Sequence, residues 1–288
     1  MRSPRLRTDS DTIMLTLTGI RVVTTAVNIP GPVAAAMLRD MGAAIVKIEP
    51  PFGDPLATGA SAWYTELCAG VDVRVLDLKS TEGRDRLDQL LDEADLLLTA
   101  TRPSSLDRLG LSWTSVHDRF PRLCQVAIVG YPIPRQDEAG HDLTYQADAG
   151  LVAPPAMPKT LVADLSGAQR AVIAALGLLL ARARGAVPGY VEVALSDAAS
   201  LFAEPLRHGL TQGTGWLGGG VAAYGIHPTR DGWVAVAALE PHFRTALARE
   251  LSVDIDDREA IARTFATRTA EEWGAWGRER GLPLVAVR

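Results

Sequence analysis

The feature that most constrains this chain is an alternation that repeats through its first two-thirds. Short, almost continuously apolar runs rich in β-branched residues give way to stretches with helical spacing. GIRVVTTA (19–26), AIVKI (44–48), VRVLDL (73–78), the apolar run 96–100, LCQVAIV (123–129) and YVEVA (190–194) read as strands. Between the first two, Pro30-Gly31-Pro32 stops a strand and opens a helix over 33–41, and Gly42 ends it. Ser80 is placed to cap a helix over 81–94, with Leu87, Leu90 and Leu91 at helical spacing. A long helix follows Asp164 to about Arg184, and Ser196 is placed to cap another. Strands without polar alternation, each separated by a helix, imply a parallel sheet covered on both faces.

Past the sixth strand the pattern changes. GLTQGTGWLGGG (209–220) reads as a flexible linker from its glycine content. A strand at WVAVAA (233–238) and three helical patterns, over 240–250, 258–265 and 270–280, follow it. The expected organisation is a disordered tail over 1–13, a large α/β domain over 14–208 and a smaller α/β domain over 209–288.

Charge and composition narrow the function. The 288 residues carry 29 Lys and Arg against 34 Asp and Glu, a net charge of −5. That gives no basic field for a nucleic-acid backbone. Two cysteines, Cys68 and Cys124, build no disulfide framework, and the five histidines show no zinc-ligand spacing. The longest apolar run, 171–183, is closed by arginines, is short for a bilayer span, and reads as a buried helix. The polar start lacks an apolar signal core, so a cytoplasmic protein that does not enter membranes is expected. The first strand-to-helix turn, AVNIPGP, has no G-x-G-x-x-G, and its two prolines remove backbone donors, which disfavours a nicotinamide cofactor.

Three polar positions sit at element ends and are candidates for proton transfer. They are His141 in AGHDLTYQADAG, Asp164 in LVADLSG and Glu240 in VAVAALEPHF. Each also has a plain structural reading: Asp164 as a helix N-cap, Glu240 as a strand-to-helix junction, His141 as a solvated loop residue.

Longer segments carry a resemblance. LTGIRVV, PGPVAAAMLRDMGAAIVKIEPP, LDLKSTEGRDRLDQLLDEADLLLTATRPSSLDRLGL, AGHDLTY, LVADLSG, GYVEVALSDA and DGWVAVAALEPHF occur in this order over roughly residues 15 to 250. In them the chain resembles the type III CoA-transferase superfamily (the CaiB/BaiF type), and within it the α-methylacyl-CoA racemases. The resemblance implies a Rossmann-like large domain, a smaller second domain and an interlocked homodimer. It also implies an acyl-CoA thioester as substrate.

In the transferases the residue matching Asp164 is a nucleophile. In the racemases the same Asp works beside a His in a GHD motif and a Glu in an IEP-like motif. Here these are His141 in Gly140-His141-Asp142 and Glu240 in Leu239-Glu240-Pro241, which favours the racemase branch. His141 and Asp164 are then the pair that removes and returns an α-proton. Glu240 orients His141, Tyr145 hydrogen-bonds Asp164, and backbone N–H groups after Asp164 hold the enolate oxygen. Gly140, Asp142, Leu143, Thr144 and Tyr145 line the substrate, and Arg102 and Arg108 match basic positions that hold CoA. No metal or redox cofactor is required.

The stretch 67–72 lacks the basic run that the family usually carries there, and Pro50 stands where a base is common. This thinned grip suggests a carrier-protein phosphopantetheine thioester as an alternative to CoA. The family's C-terminal return segment is expected to be absent. CoA transfer through Asp164, other enolate chemistry and a binding role are the alternatives to racemisation.

Overall fold

The computed structural model of the protein describes residues 16–287. The expected disordered tail lies outside them. The chain forms two compact units that part between Phe202 and Ala203, earlier than the glycine-rich stretch where a boundary was expected.

The first unit contains β1 (Arg21–Thr24), α1 (Pro30–Asp40), β2 (Ala44–Glu49), α2 (Pro55–Gly59), α3 (Ser61–Cys68), β3 (Asp72–Val75), α4 (Thr81–Asp92) and β4 (Leu96–Thr99). It continues through α5 (Pro103–Leu109), α6 (Trp113–Arg119), β5 (Cys124–Val129), α7 (Asp142–Asp148), α8 (Val162–Ala183), β6 (Tyr190–Ala194) and α9 (Leu195–Phe202). All six strands are parallel, in the order β3-β2-β1-β4-β5-β6. This is the doubly wound arrangement, with its switch point between β1 and β4.

Successive side chains of a strand point to opposite faces, so an apolar run feeds two cores. Val22, Leu96 and Leu98 join a core with α1, α8 and α9. Val23 and Leu97 join the other, with α4, α5 and α6. This is why the central strands read as unbroken apolar runs.

Several local expectations are corrected. The third strand ends at Val75 rather than 78, because Asp77 starts a turn: its carbonyl accepts from Ser80 N–H at 3.0 Å and its carboxylate from Lys79 N–H at 3.0 Å. Ser80 does cap α4, accepting from Gly83 N–H at 3.0 Å. Ser196 is not a cap. The chain passes from β6 directly into α9 at Leu195, and Ser196 N–H bonds the Gly130 carbonyl at 3.0 Å.

Helix α8 has 22 residues and is long and apolar enough to cross a bilayer by length and composition alone. Here it packs its apolar face on β5, β6, α1 and α9. Arg182 in its last turn donates to the Asp95 carboxylate at 2.6 Å and to the Arg122 carbonyl at 3.0 Å. The other oxygen of Asp95 accepts from Arg21 N–H at 2.8 Å.

The second unit contains α10 (Glu204–Arg207), β7 (Tyr224–Pro228), β8 (Trp233–Ala237), α11 (Pro241–Leu251), α12 (Arg258–Phe265), α13 (Ala270–Glu279) and β9 (Leu284–Ala286). The strands form an antiparallel sheet, β7-β8-β9. Val234, Val236 and Leu284 face a core built with Leu247, Phe265 and Trp273. Residues 209–220 are not an open linker but a run of tight turns. Leu217 N–H bonds the Leu210 carbonyl at 2.9 Å, and the Gly220 N–H bonds that of Gly215 at 2.8 Å. A Cβ at Gly215, Gly218 or Gly220 would collide with backbone, so these glycines serve close approach rather than freedom.

Candidate active site

Strands β1, β4 and β5 deliver their following loops to one edge of the sheet, and α1 and α8 both begin there. Ligand crevices of doubly wound sheets lie at this carboxyl edge.

Asp164 is buried at the third position of α8; Leu161, not Asp164, occupies the N-cap. The plain capping reading therefore fails. The cap comes instead from Asp142, the first residue of α7, which is also buried. One oxygen of Asp142 accepts from the Asp164 N–H at 3.0 Å, and the other accepts from the Gln146 amide. Gln146 also donates to the Thr160 carbonyl at 2.9 Å. Asp142 thus fixes the start of α8 from a residue 22 positions earlier. A residue expected at the substrate has both oxygens committed to the frame.

Among the described residues no hydrogen bond reaches the Asp164 carboxylate. Burial, and then the nearby charge of Asp142, push its pKa up from 3.8 to about 6. A carboxylate with that affinity takes and gives a proton near neutrality.

His141 directly precedes Asp142, so its Cα is ~3.8 Å from that of the residue that bonds Asp164. It is the exposed N-cap of α7, with extended backbone at φ −140° and ψ 168°. The Thr144 hydroxyl accepts from His141 N–H at 3.1 Å and fixes this start. Among the described residues no hydrogen bond joins His141 to Asp164; the link between their segments is the Asp142 carboxylate on the Asp164 N–H.

Tyr145 is buried beside them. A Cβ at Gly130 or Gly140 would strike its ring or hydroxyl, so both glycines are required by its position. Tyr131 packs edge-on against it at 5.1 Å and donates to Asp148 at 3.0 Å. Burial, then Tyr131 and Asp164, push the Tyr145 hydroxyl up to about 12, so it remains a donor. Among the described residues it makes no hydrogen bond to Asp164, contrary to expectation. The expected oxyanion donors are also relocated. Leu165 N–H is already spent on the Leu161 carbonyl, so the helix offers the N–H groups before Asp164, at Val162 and Ala163.

Gly140 and Leu143 flank these residues, with Leu143 exposed. Arg102 occupies the N-cap position of α5 without a side-chain capping bond, and Arg108 lies in its last turn, donating to Ser105 at 2.7 Å. Both act on Asp137 of the loop after β5, whose carboxyl is held low first by the Ser104 hydroxyl and N–H and then by these arginines. Arg102 also lies within electrostatic reach of Tyr145. Glu240 belongs to the second unit. It is the exposed N-cap residue of α11, and its side chain makes no capping bond.

One cluster was missed by sequence reasoning. Lys47, in β2, is fully buried and pairs with Glu49 and, at 2.8 Å, with Asp54. Tyr64 donates to Glu49 at 2.6 Å. The second oxygen of Asp54 accepts from Leu56 and Asn28 N–H, each at 2.9 Å. Asn28, with φ 72°, forms the turn after β1, so this ionic group shapes the turn that opens the crevice. The signal was present: a lysine inside AIVKIE, an otherwise apolar strand, has to be paired once buried.

Comparison with known proteins agrees with this architecture. Over 94% of the chain and 78% of the relative, it is 27% identical to the succinyl-CoA–D-citramalate CoA-transferase of Chloroflexus aurantiacus. It is equally 27% identical to human α-methylacyl-CoA racemase, over 90% of the chain and 74% of that enzyme. The crystal structure of Rv3272 from Mycobacterium tuberculosis superposes with a TM-score of 0.82 at 25% identity, covering 94% of this chain and 84% of that one. A Brucella suis CaiB/BaiF family structure gives 0.79 at 22% identity and shares the fold. The family model for CoA-transferase family III matches residues 17–288. The chain belongs to CoA-transferase family III.

Proposed function

We propose that this protein moves the α-proton of a 2-methyl-branched acyl thioester, as a racemase or epimerase. The observation that carries the reading is a buried Asp164 with affinity near neutrality, set one residue contact from the GHD histidine. A thioester acidifies its α-carbon. One member of the His141–Asp164 pair takes that proton, and electron density moves onto the thioester oxygen. The other member delivers a proton to the opposite face, and the carbonyl re-forms. Val162 and Ala163 N–H groups, at the positive end of α8, favour the oxyanion. The working enzyme acts as an interlocked homodimer in the cytoplasm. Arg102 and Arg108 attract the phosphates of CoA or of a carrier-protein arm. The reaction needs no metal or redox cofactor.

A second reading is CoA transfer with Asp164 as nucleophile. It is supported by the relative named as a D-citramalate CoA-transferase and by a carboxylate with no hydrogen bond to blunt it.

The test is α-proton exchange in D₂O with 2-methylacyl-CoA and with the matching carrier-protein thioester. Deuterium uptake that disappears in both His141→Ala and Asp164→Ala supports racemisation, and the faster substrate identifies the carrier. No uptake from either, together with label moving from acyl-CoA to a free acid, overturns it in favour of transfer.

A further inference from the structure

One polar atom beside Asp164 does nothing for the chain's own structure. Tyr145 is only 3% exposed, yet among the described residues no hydrogen bond reaches its hydroxyl. A buried tyrosine usually pairs that group, and one that does not calls for a reason. The nearby acceptors take other donors. The Gly130 carbonyl accepts from Ser196 N–H at 3.0 Å, and Asp148 accepts from Tyr131 at 3.0 Å. Asp142 accepts from Asp164 N–H and from Gln146.

The phenol cannot turn to find a partner. Its ring lies against Gly130 and Gly140, where a Cβ would strike it, and edge-on to Tyr131 at 5.1 Å. Two positions have thus given up a side chain to hold one hydroxyl in place. Among the described residues the hydroxyls of Thr25, Thr99 and Ser196 are sealed in without partners, and the Tyr145 hydroxyl is not among them. A fixed donor that is not sealed in takes its partner from outside the chain.

Charge decides what that partner is. Asp164 lies within electrostatic reach of the hydroxyl, and Asp142 within reach of Asp164. A ligand carboxylate or phosphate at this point would face both carboxylates and be repelled. A neutral acceptor would not. A thioester carbonyl is neutral at rest, and its oxygen gains negative charge only as the reaction proceeds, where a preset donor has most effect.

We infer that Tyr145 is a catalytic residue whose hydroxyl donates a hydrogen bond to the carbonyl oxygen of the bound thioester. The bond strengthens as that oxygen becomes an enolate. The α-proton goes to His141 or Asp164, the C–H electron pair moves onto the oxygen and back, and the phenol keeps its own proton throughout. The assignment rests on a thioester substrate. It holds equally for acyl transfer, in which attack by Asp164 places the same charge on the same oxygen.

The test is the infrared band of the bound carbonyl. The probe is 2-methylpropanoyl-CoA, labelled with ¹³C at the carbonyl and compared with the unlabelled ester. Its α-carbon is not a stereocentre, so removal and return of the proton regenerate the same molecule. On the wild-type protein the band should lie at lower frequency than in free solution. On Tyr145→Phe it should move back toward the free position with the probe still bound. The kcat for α-proton exchange should fall about a hundredfold with KM little changed, the usual loss for one oxyanion donor. Thermal melting of Tyr145→Phe should show no loss of stability, because the hydroxyl makes no bond in the fold. The same band on both proteins, full exchange in the variant, or a destabilised variant overturns the assignment alone. Failure of the wild type to bind the probe overturns the thioester reading and the assignment with it.

Discussion

Asp164 holds its proton up to about pH 6 because burial and Asp142 disfavour the charge. A carboxyl with a raised folded pKa stabilises the fold below its unfolded value and loses that contribution as pH rises through the folded value. Asp164→Asn should therefore leave stability unchanged at pH 3 and raise it by up to about 3 kcal/mol at pH 8, read from thermal melts at both. Activity moves oppositely: exchange should fall on the acid side of about pH 6 in the wild type and vanish in the variant. Asp142→Asn keeps an oxygen for the Asp164 N–H and removes a charge, but turns an amide donor toward the Gln146 amide. Its acid limb should shift to lower pH, at a cost in stability of about 1 kcal/mol for the lost Gln146 bond. Asp142→Ala instead strands a buried donor and should cost about 1–3 kcal/mol in urea denaturation.

At the scale of elements, Tyr145 depends on two absent side chains. Gly140→Ala should push the ring out of its place between Gly130 and Gly140 and cost about 1–3 kcal/mol, with exchange reduced more than stability explains. This sensitivity was hidden in the sequence, where AGHDLTYQADAG looks like a turn. DLTYQAD has little apolar periodicity, and α7 forms because Asp142, Thr144 and Gln146 spend their polar groups on it. The sheet was readable because its central strands feed cores on both faces and so remain apolar throughout. β7 was unreadable: YGIHP contains a glycine, a histidine and a proline, and becomes a strand only through pairing with β8. The candidate acid and base were readable from motif resemblance. The Asp142 cap was not, because it joins residues 22 apart whose local sequences show no link.

For the molecule as a whole, the costliest single disruption is expected at an ionic group that takes no part in proton transfer. Lys47→Met leaves Glu49 and Asp54 buried without their cation and should cost about 3–5 kcal/mol in urea denaturation. Adding Glu49→Gln should recover part of that loss, since one stranded charge is removed. Asn28 then also loses the support that fixes the turn after β1.

Helix α8 is held at both ends by carboxylates from elsewhere in the chain, Asp142 at its start and Asp95 at its finish. That makes its length a matter of phase. One residue added or removed between 165 and 181 rotates one end about 100° relative to the other. Either Arg182 leaves Asp95 or Asp164 swings away from the crevice. Substitutions along the outer face of this helix are tolerable in a way that single-residue insertions are not, so the spacing between Asp164 and Arg182 is itself part of the active site.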